Sequence, residues 1–149
     1  MADLVPPTVK DAVARAVTTF HRTVFEASGG RLGDRIGGMP VLVLHTTGRR
    51  SGKRRSTMLT SPVQEGDAVV LVASYGGDDR HPTWFLNLRD DPDVEVTMNG
   101  GTRPFRARVA GDDERARLWA QVVSRYRGYG QYQTRTDREI PLVILEPRP

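Results

Sequence analysis

The sequence contains no cysteine and only three histidines among its 149 residues. Without cysteine the chain can form no disulfide and no thiolate metal site, and it has no cysteine nucleophile. His21, His45 and His81 lack the spacing of metal ligands, so we interpret each as a structural residue. No metal centre is therefore expected.

Long hydrophobic runs are also missing, since nowhere do 18 apolar residues follow one another. A membrane-spanning helix needs about 20 such residues, so none is expected. The sequence at 1–7 lacks the basic and apolar regions of a signal peptide. These two observations predict a cytoplasmic protein.

Groups for covalent catalysis are not assembled in this sequence. Ser74 follows an apolar run, but the residues around it, Val72-Ala-Ser-Tyr-Gly76, lack the Gly-x-Ser-x-Gly pattern of a hydrolase nucleophile. The paired aspartates at 78–79 and 90–91 occupy loop and helix-end positions and form no acid–base pair. Hydride transfer from a bound coenzyme needs orientation, burial and electrostatic support instead of a protein nucleophile, so that chemistry stays open.

Positive charge is what the sequence has in local excess. The net charge is +4, and five cations fall within seven residues: Arg49, Arg50, Lys53, Arg54 and Arg55. We call residues 48–55 the basic turn, because they separate two β-like runs. Outside it acidic and basic residues are interleaved, which suits a small anionic ligand better than a nucleic acid, and no recognition helix follows.

The glycines of the basic turn exclude a triphosphate-binding P-loop. That loop needs four residues between its glycines and a hydroxyl after the lysine, whereas three residues separate Gly48 from Gly52 and Arg54 stands in the hydroxyl position. Two interpretations remain, and the cluster alone does not decide between them. In the first, backbone amides freed by the glycines and guanidinium groups bind a phosphate or carboxylate. In the second, the turn is a solvated basic hairpin without a ligand.

Hydrophobic periodicity predicts one domain over 1–149 with about six strands and three or four helices. An amphipathic helix is predicted over 8–27, ended by Ser28-Gly29-Gly30. Its polar face carries both signs of charge, which favours packing on the domain over contact with a membrane. Further helices are predicted over 83–89 and over 112–126, where Asp112 is the N-cap. The strands are 41–46, 56–64, 68–74, 93–98, a strand through 105–109, and 140–145.

Hairpin signals connect most of these strands. Glu65-Gly66-Asp67 and Asn99-Gly100 both predict tight antiparallel turns. A parallel βαβ sheet is excluded, because crossover helices are missing between most strands. The pattern therefore favours a small antiparallel barrel with helices at its ends, whose turns and rims carry the site.

Four ordered blocks resemble the deazaflavin-dependent nitroreductase family, and in particular its coenzyme F-420-dependent quinone reductases. The blocks are Thr46–Arg55, Val72–Gly77, His81–Leu88 and Tyr129–Pro141, and the resemblance covers about 37–147. It implies an α+β, mainly β fold: a split β-barrel of the kind that also binds FMN. It further implies transfer of a hydride from reduced coenzyme F-420 to a quinone-like or nitroaromatic acceptor.

The resemblance also implies roles for individual residues. Arg49, Lys53 and Arg55 would hold the phosphate and glutamate tail of the coenzyme, and Ser74 and Tyr132 would polarise an acceptor oxygen. The implied catalytic positions are Ser74, Tyr126, Tyr129 and Tyr132. The implied coenzyme-binding positions are Arg49, Ser51, Gly52, Lys53, Arg54, Arg55, Thr60, Ser74, Trp84 and Asn87.

Two departures from the family pattern, and several alternatives, stay open at this point. Thr60 stands where some members have an active-site tyrosine, and Met58 stands where proline is common, which puts nitro-drug activation in doubt. The alternatives are a coenzyme F-420 binder without turnover and an FMN- or haem-binding split barrel. Split barrels often pair, so a homodimer is one expectation, and the helix at 8–27 is a candidate for contact with the inner face of the membrane.

Overall fold

The computed structural model describes residues 35–149, and the helix predicted over 8–27 lies outside the described residues. The centre of the described structure is a sheet of eight strands in which every pair is antiparallel. The sheet order is β1-β2-β6-β7-β8-β5-β4, and β3 pairs with β2. The strands are β1 (Arg35–Ile36), β2 (Met39–Thr47), β3 (Arg54–Thr60), β4 (Val63–Glu65), β5 (Ala68–Val72), β6 (Asp93–Met98), β7 (Gly101–Val109) and β8 (Leu142–Pro147).

Within the described residues, three helices and a 3₁₀ turn join the strands. The helices are α1 (Thr83–Asp90), α2 (Asp112–Arg125) and α3 (Gly128–Thr134), and the 3₁₀ turn is Tyr75–Gly77. Over the described part of the chain, none of these helices has the length and apolar character needed to cross a bilayer. Helix α2 begins one residue earlier than predicted, with Gly111 as its N-cap in place of Asp112, a difference within the usual uncertainty of helix ends.

The main core lies on the concave side of the curled sheet. Alternate residues of β2, β5, β6, β7 and β8 point into it, as the two-residue period of a strand requires. Helix α1 closes one end and contributes Trp84, Phe85 and Leu88. The sheet residues of this core are Leu42, Leu44, Val69, Leu71, Val94, Val96, Phe105, Ala107, Val143 and Leu145.

Strand β8 is buried on both faces, which explains why its sequence is apolar without interruption. Val143 and Leu145 face the main core, whereas Leu142 and Ile144 face outward and pack with Leu118 of α2. Both sides of the strand are therefore buried, and a strand buried on both faces has no polar alternation. The same placement confirms that the proline before Leu142 marks a strand start.

One predicted strand is wrong, because 56–64 divides into β3 and β4. Strand β3 pairs with β2, whereas β4 pairs with β5. The break falls at Ser61 and Pro62, where proline removes a backbone donor. The buried Ser61 hydroxyl has the carbonyls of Val63 (2.9 Å) and Val70 (2.7 Å) within hydrogen-bond distance, and they share its single proton. This division, together with the short β1, gives eight strands instead of the six predicted.

Both predicted hairpins are confirmed. Met98 pairs with Gly101 across Asn99 and Gly100, whose φ values are 51° and 90°. Two positive φ values at the central positions are typical of the type I′ turn that Asn-Gly favours. The antiparallel ribbon formed by β6 and β7 is therefore set by local sequence.

Removing the Ser61 hydroxyl is expected to destabilise the fold. Ser61→Ala leaves two buried carbonyls without that donor, so we expect the free energy of unfolding in urea to fall by about 1–3 kcal/mol. Ser124→Ala, on the exposed face of α2, is the control and should change it by no more than about 0.5 kcal/mol. Equal effects of the two substitutions would contradict this role for Ser61.

Candidate functional site

The basic turn is a compact loop closed by its own backbone. The amide of Gly48 donates to the carbonyl of Lys53, and the amide of Gly52 donates to the carbonyl of Gly48, both at 2.8 Å. Gly52 has a φ of 69°, a left-handed value that favours glycine. A Cβ on Gly48 would lie 2.6 Å from Ser51 Oγ and 3.2 Å from the carbonyl oxygen of Lys53, so a larger residue would require these neighbours to move.

Asn87 of α1 fastens the basic turn to the body of the domain. The amide of Arg49 donates to Asn87 Oδ1 at 3.1 Å, and Asn87 Nδ2 donates to Thr46 Oγ1 at 3.2 Å. The Asn87 side chain is buried, so these bonds are shielded from competing water. Asn87 therefore determines where the turn stands relative to α1.

The cations of the basic turn separate into two groups. Arg54 forms an ion pair with Glu95, on the face of β3 opposite to Arg55, because successive strand residues point to opposite sides. Within residues 35–149, no carboxylate forms an ion pair with the other four cations of the turn. Those four are Arg49, Arg50, Lys53 and Arg55.

Three of the four uncompensated cations, Arg49, Arg50 and Arg55, border a groove of about 300 Å³. Three arginines, a serine and the buried Asn87 amide meet there, so positive charge faces polar groups instead of carboxylates. Such a groove suits an anion that carries more than one charge. Its lining residues are Gly48, Arg49, Arg50, Ser51, Arg55, Thr83 and Asn87.

A second cleft of about 400 Å³ adjoins the groove at Thr83. Trp84 and Ser74 lie in its wall and are 7% and 8% exposed. The Ser74 Oγ makes no hydrogen bond to the described part of the chain, so it is free to bind a ligand. The cleft is lined by Thr57, Leu59, Val72, Ser74, Tyr75, Gly76, Pro82, Thr83 and Trp84.

Three tyrosines form a ladder of edge-to-face rings on and before α3. The ring centroids of Tyr126 and Tyr129 lie 6.5 Å apart, and those of Tyr129 and Tyr132 lie 6.0 Å apart. Burial raises the pKa of Tyr129, and a hydrogen bond with Thr60 partly offsets that effect. Tyr129 is therefore protonated at neutral pH and acts as a hydrogen-bond donor, including to Met39 Sδ at 3.6 Å.

The tyrosine ladder lies next to the cleft without lining it. Val72 lines the cleft and also packs in the cluster that contains Tyr129. Thr60 lies on the other face of β3 from the cleft-lining Thr57 and Leu59, as the strand register requires. The structure thus brings Ser74 and Trp84 into one cavity, whereas Tyr129 and Thr60 meet behind its wall.

A residue that the sequence did not single out organises the cleft wall. Arg138 donates to the carbonyls of Asp78 at 2.8 Å and Ser74 at 2.9 Å. It also donates to the carbonyl of Ala73 and to His81 Nδ1, both at 3.2 Å. An arginine within a polar segment gives no local sign of such long-range contacts, which become visible only in the fold.

The wall itself has an unusual backbone. Tyr75, Gly76 and Gly77 have φ values of 46°, 63° and 85°, and the left-handed conformation costs a non-glycine residue about 1–2 kcal/mol. A Cβ on Gly77 would lie 2.8 Å from the carbonyl oxygen of Tyr132. The 3₁₀ turn is therefore in close contact with α3.

His81 is held neutral beside Arg138. Burial lowers the pKa of His81, and the charges of Arg138 and Arg89 lower it further. Its Nδ1 accepts from the Arg138 guanidinium, which places the proton on Nε2. The ring packs against Phe85 with centroids 4.8 Å apart.

A separate cavity of about 380 Å³ lies at the opposite end of the barrel, between the two hairpin turns near Gly66 and Gly100. The predicted site residues are absent from its lining. Among the described residues, no group of three or more His, Cys, Asp or Glu side chains is arranged to hold a metal ion. The candidate site is therefore the groove and cleft joined at Thr83.

Comparison with known proteins gives consistent matches. A sequence model of the family described as F420H(2)-dependent quinone reductase matches residues 16–147, a span that begins ahead of the resemblance at 37–147. An F420H(2)-dependent quinone reductase of Mycobacterium tuberculosis is 42% identical over 136 residues, which cover 87% of this chain and 89% of the relative.

Two solved structures share the fold. One, described as an F420-H2 dependent reductase, has a TM-score of 0.64 and 39% identity, and covers 72% of this chain and 94% of its own. The other, described as a domain-swapped dimer, has a TM-score of 0.68 and 33% identity, and covers 91% of this chain and 99% of its own. The split β-barrel expected from the sequence is thereby confirmed.

Neutral His81 makes stability depend on pH. Its folded pKa lies below the ordinary value of 6.5, so the unfolded chain takes up a proton first as the pH falls. The free energy of unfolding should therefore decrease as the pH drops through about 6.5 and level off below the folded pKa. Urea unfolding of the wild type and His81→Gln between about pH 7.5 and 5.5 measures this.

The glutamine variant carries no titrating group at this position, so its stability should fall less over the same interval. Asp78 has a pKa of about 2, because Arg80 donates to its carboxylate, and it therefore titrates below this interval. Identical pH dependence in both proteins would show that His81 is not held neutral by the fold.

Proposed function

This chain belongs to the F420H(2)-dependent quinone reductase family, and on that basis we propose that it transfers a hydride from reduced coenzyme F-420 to a quinone. The observation that carries the proposal is a groove bordered by three arginines that have no carboxylate partner within residues 35–149, beside a cleft that has Trp84 in its wall. The anionic tail of the coenzyme suits the positively charged groove, and its flat ring system suits the cleft with Trp84 in its wall. An oxidoreductase is thus the function that the site supports best.

The residues present fit the coenzyme. Arg49 and Arg55 carry uncompensated charge into the groove, where guanidinium groups bind phosphate and carboxylate oxygens in pairs. Ser74 offers a free hydroxyl in the cleft, and Trp84 offers an apolar surface. We propose that the groove holds the phosphate and glutamate tail and that the cleft holds the ring.

The remaining members of the predicted coenzyme set have different surroundings. Ser51 and Gly52 shape the turn, Lys53 adds charge to it, and Asn87 fixes its position. Contact of Arg54 with the coenzyme stays a prediction, because Arg54 is engaged by Glu95. Contact of Thr60 with the coenzyme also stays a prediction, since the Thr60 side chain forms a hydrogen bond with Tyr129.

When bound, reduced coenzyme F-420 supplies the hydride. Reduction of a quinone to a hydroquinone also needs a proton, and hydroxyl groups near the acceptor can hydrogen-bond the developing oxyanion. Ser74 Oγ is available for this inside the cleft. Tyr132 lies next to the cleft without lining it, so its role rests on the family resemblance, and its Oη makes no hydrogen bond to the described residues. We propose these two hydroxyls as the groups that polarise the acceptor oxygen, with Tyr126 and Tyr129 supporting Tyr132 through ring contacts.

Several expectations stay predictions within this proposal. Reduction of nitroaromatic compounds is in doubt, since Thr60 replaces a tyrosine of some relatives. A homodimer is expected by analogy with the structure described as a domain-swapped dimer. Contact of the helix at 8–27 with the inner face of the membrane and a cytoplasmic location are expectations from sequence alone.

Removal of the groove cations tests the tail assignment. Arg49→Ala and Arg55→Ala should each weaken binding of oxidised coenzyme F-420 about 5- to 30-fold, because each removes about 1–2 kcal/mol of charge-assisted binding. Arg54→Ala is the matched control and should have a smaller effect, since its partner is Glu95. Fluorescence titration with the full coenzyme and with its tail-less analogue measures all three.

The tail-less analogue should bind the wild type and both groove variants with similar affinity. Failure of the wild type to bind the full coenzyme would overturn the proposed function. If the full coenzyme bound all three variants as tightly as it binds the wild type, the groove would not be the tail site.

Removal of one tyrosine hydroxyl tests the acceptor assignment. Tyr132→Phe should lower kcat with menadione about 10- to 100-fold and leave affinity for the oxidised coenzyme unchanged, as expected for a group that acts in proton transfer. Tyr126→Phe keeps the ring contact and serves as the comparison. Unaltered acceptor kinetics in Tyr132→Phe would remove this hydroxyl from the chemistry.

A further inference from the structure

We infer that Arg138 is the positioning residue of the ring cleft, an inference that rests on the proposed function. Its guanidinium holds the backbone of the loop at 73–81, which forms one wall of the cleft. Ser74, whose hydroxyl is free for the ligand, is thereby set in place through its own carbonyl. Arg138 does not line the cleft itself and acts through the wall.

The contacts of Arg138 differ from those of an ordinary surface arginine. It forms no ion pair with the described residues, and three of its four partners are backbone carbonyls. These carbonyls belong to Ala73, Ser74 and Asp78, so one planar group ties together both ends of the 3₁₀ turn. A lysine has a single nitrogen and cannot span these separated acceptors.

The loop needs such a restraint because of its backbone conformation. Three successive residues from Tyr75 have positive φ values. Gly76 and Gly77 adopt them readily, whereas Tyr75 is strained, and a strained residue persists only where its surroundings hold it. Within the loop, the Gly77 amide donates to Ser74 and the Asp78 amide donates to Tyr75, at 2.9 and 3.1 Å. The two carbonyls of the loop that Arg138 holds most closely are those of Ser74 and Asp78.

Neighbours of Arg138 strengthen the connection to α3. Thr136 Oγ1 donates to Asp79 Oδ1 at 2.8 Å, and Arg135 donates to the carbonyl of Gly76 at 3.2 Å. The Arg135 guanidinium also lies 5.4 Å from the centroid of the Tyr132 ring. The segment 135–138 therefore joins the cleft wall to the tyrosine ladder, and Arg138 supplies most of its bonds.

Arg138→Ala tests this role with two readouts. Hydrogen exchange at the amides of Gly77 and Asp78 reports the loop directly and needs no coenzyme. We expect exchange at both to accelerate at least about tenfold and the affinity for oxidised coenzyme F-420 to fall about tenfold. The tail-less analogue should lose affinity by the same factor, because the ring cleft is affected and the groove is not.

Chemical rescue distinguishes a positioning role of Arg138 from a general destabilisation of the variant protein. Added guanidinium at non-denaturing concentration should restore both the exchange protection and the affinity of Arg138→Ala, whereas Arg138→Lys should stay defective in both. Arg80→Ala, which removes an exposed arginine that binds the Asp78 side chain, is the matched control and should change neither readout. If the alanine variant fails to fold, Arg138→Lys alone supplies both measurements.

Unchanged exchange at Gly77 and Asp78 in both Arg138 variants would overturn the inference. Unchanged coenzyme affinity, beside a wild type that binds, would overturn it as well. If the wild type does not bind the coenzyme, the proposed function fails, and the exchange experiment still decides whether Arg138 holds the loop.

Discussion

The register between β2 and β3 is the constraint on which the site depends. Pairing of Thr46 with Arg55 and of Leu44 with Thr57 turns Arg55, Thr57 and Leu59 toward the groove and cleft. The same register turns Arg54 toward Glu95 on the other face. A shift of one residue would exchange the two faces. Charge, polar groups and the aromatic surface therefore meet on one side of the sheet only because this pairing is fixed.

Irregular backbone supplies the rest of the site. Residues 48–53 of the basic turn and the loop at 73–81 lack regular strand pairing, and polar side chains from elsewhere in the chain hold each of them. Asn87 holds the basic turn and Arg138 holds the loop. Binding groups can thus stand on irregular backbone while the curled sheet provides the rigid support.

Local signals predicted much of this arrangement. Asn99-Gly100 determined its hairpin, because the turn type follows from two residues, and the four blocks of family-like sequence predicted the split barrel and the coenzyme. The break of 56–64 into two strands was missed although Pro62 marks it locally, since the bonds of the buried Ser61 hydroxyl become visible only in the fold. The role of Arg138 was missed for the same reason. Its partners lie about sixty residues away in sequence, and no local pattern records them.

The positions of Arg54 and Arg55 on opposite faces of β3 illustrate a further limit of prediction from sequence. Alternation along a strand would have divided the two arginines, but only once the boundary between turn and strand was known. That boundary falls at Arg54, inside the run of cations, where composition gives no sign of it. The sequence could therefore predict that this segment binds an anion, and the fold was needed to show which cations remain uncompensated.

The central claim is tested most directly by anaerobic turnover of the purified full-length chain with reduced coenzyme F-420 and menadione. We predict reoxidation of the coenzyme that depends on protein concentration, saturates with menadione and yields one hydroquinone for each coenzyme oxidised. Tight binding of the coenzyme without any increase in its reoxidation rate would contradict the claim and make this chain a coenzyme-binding protein.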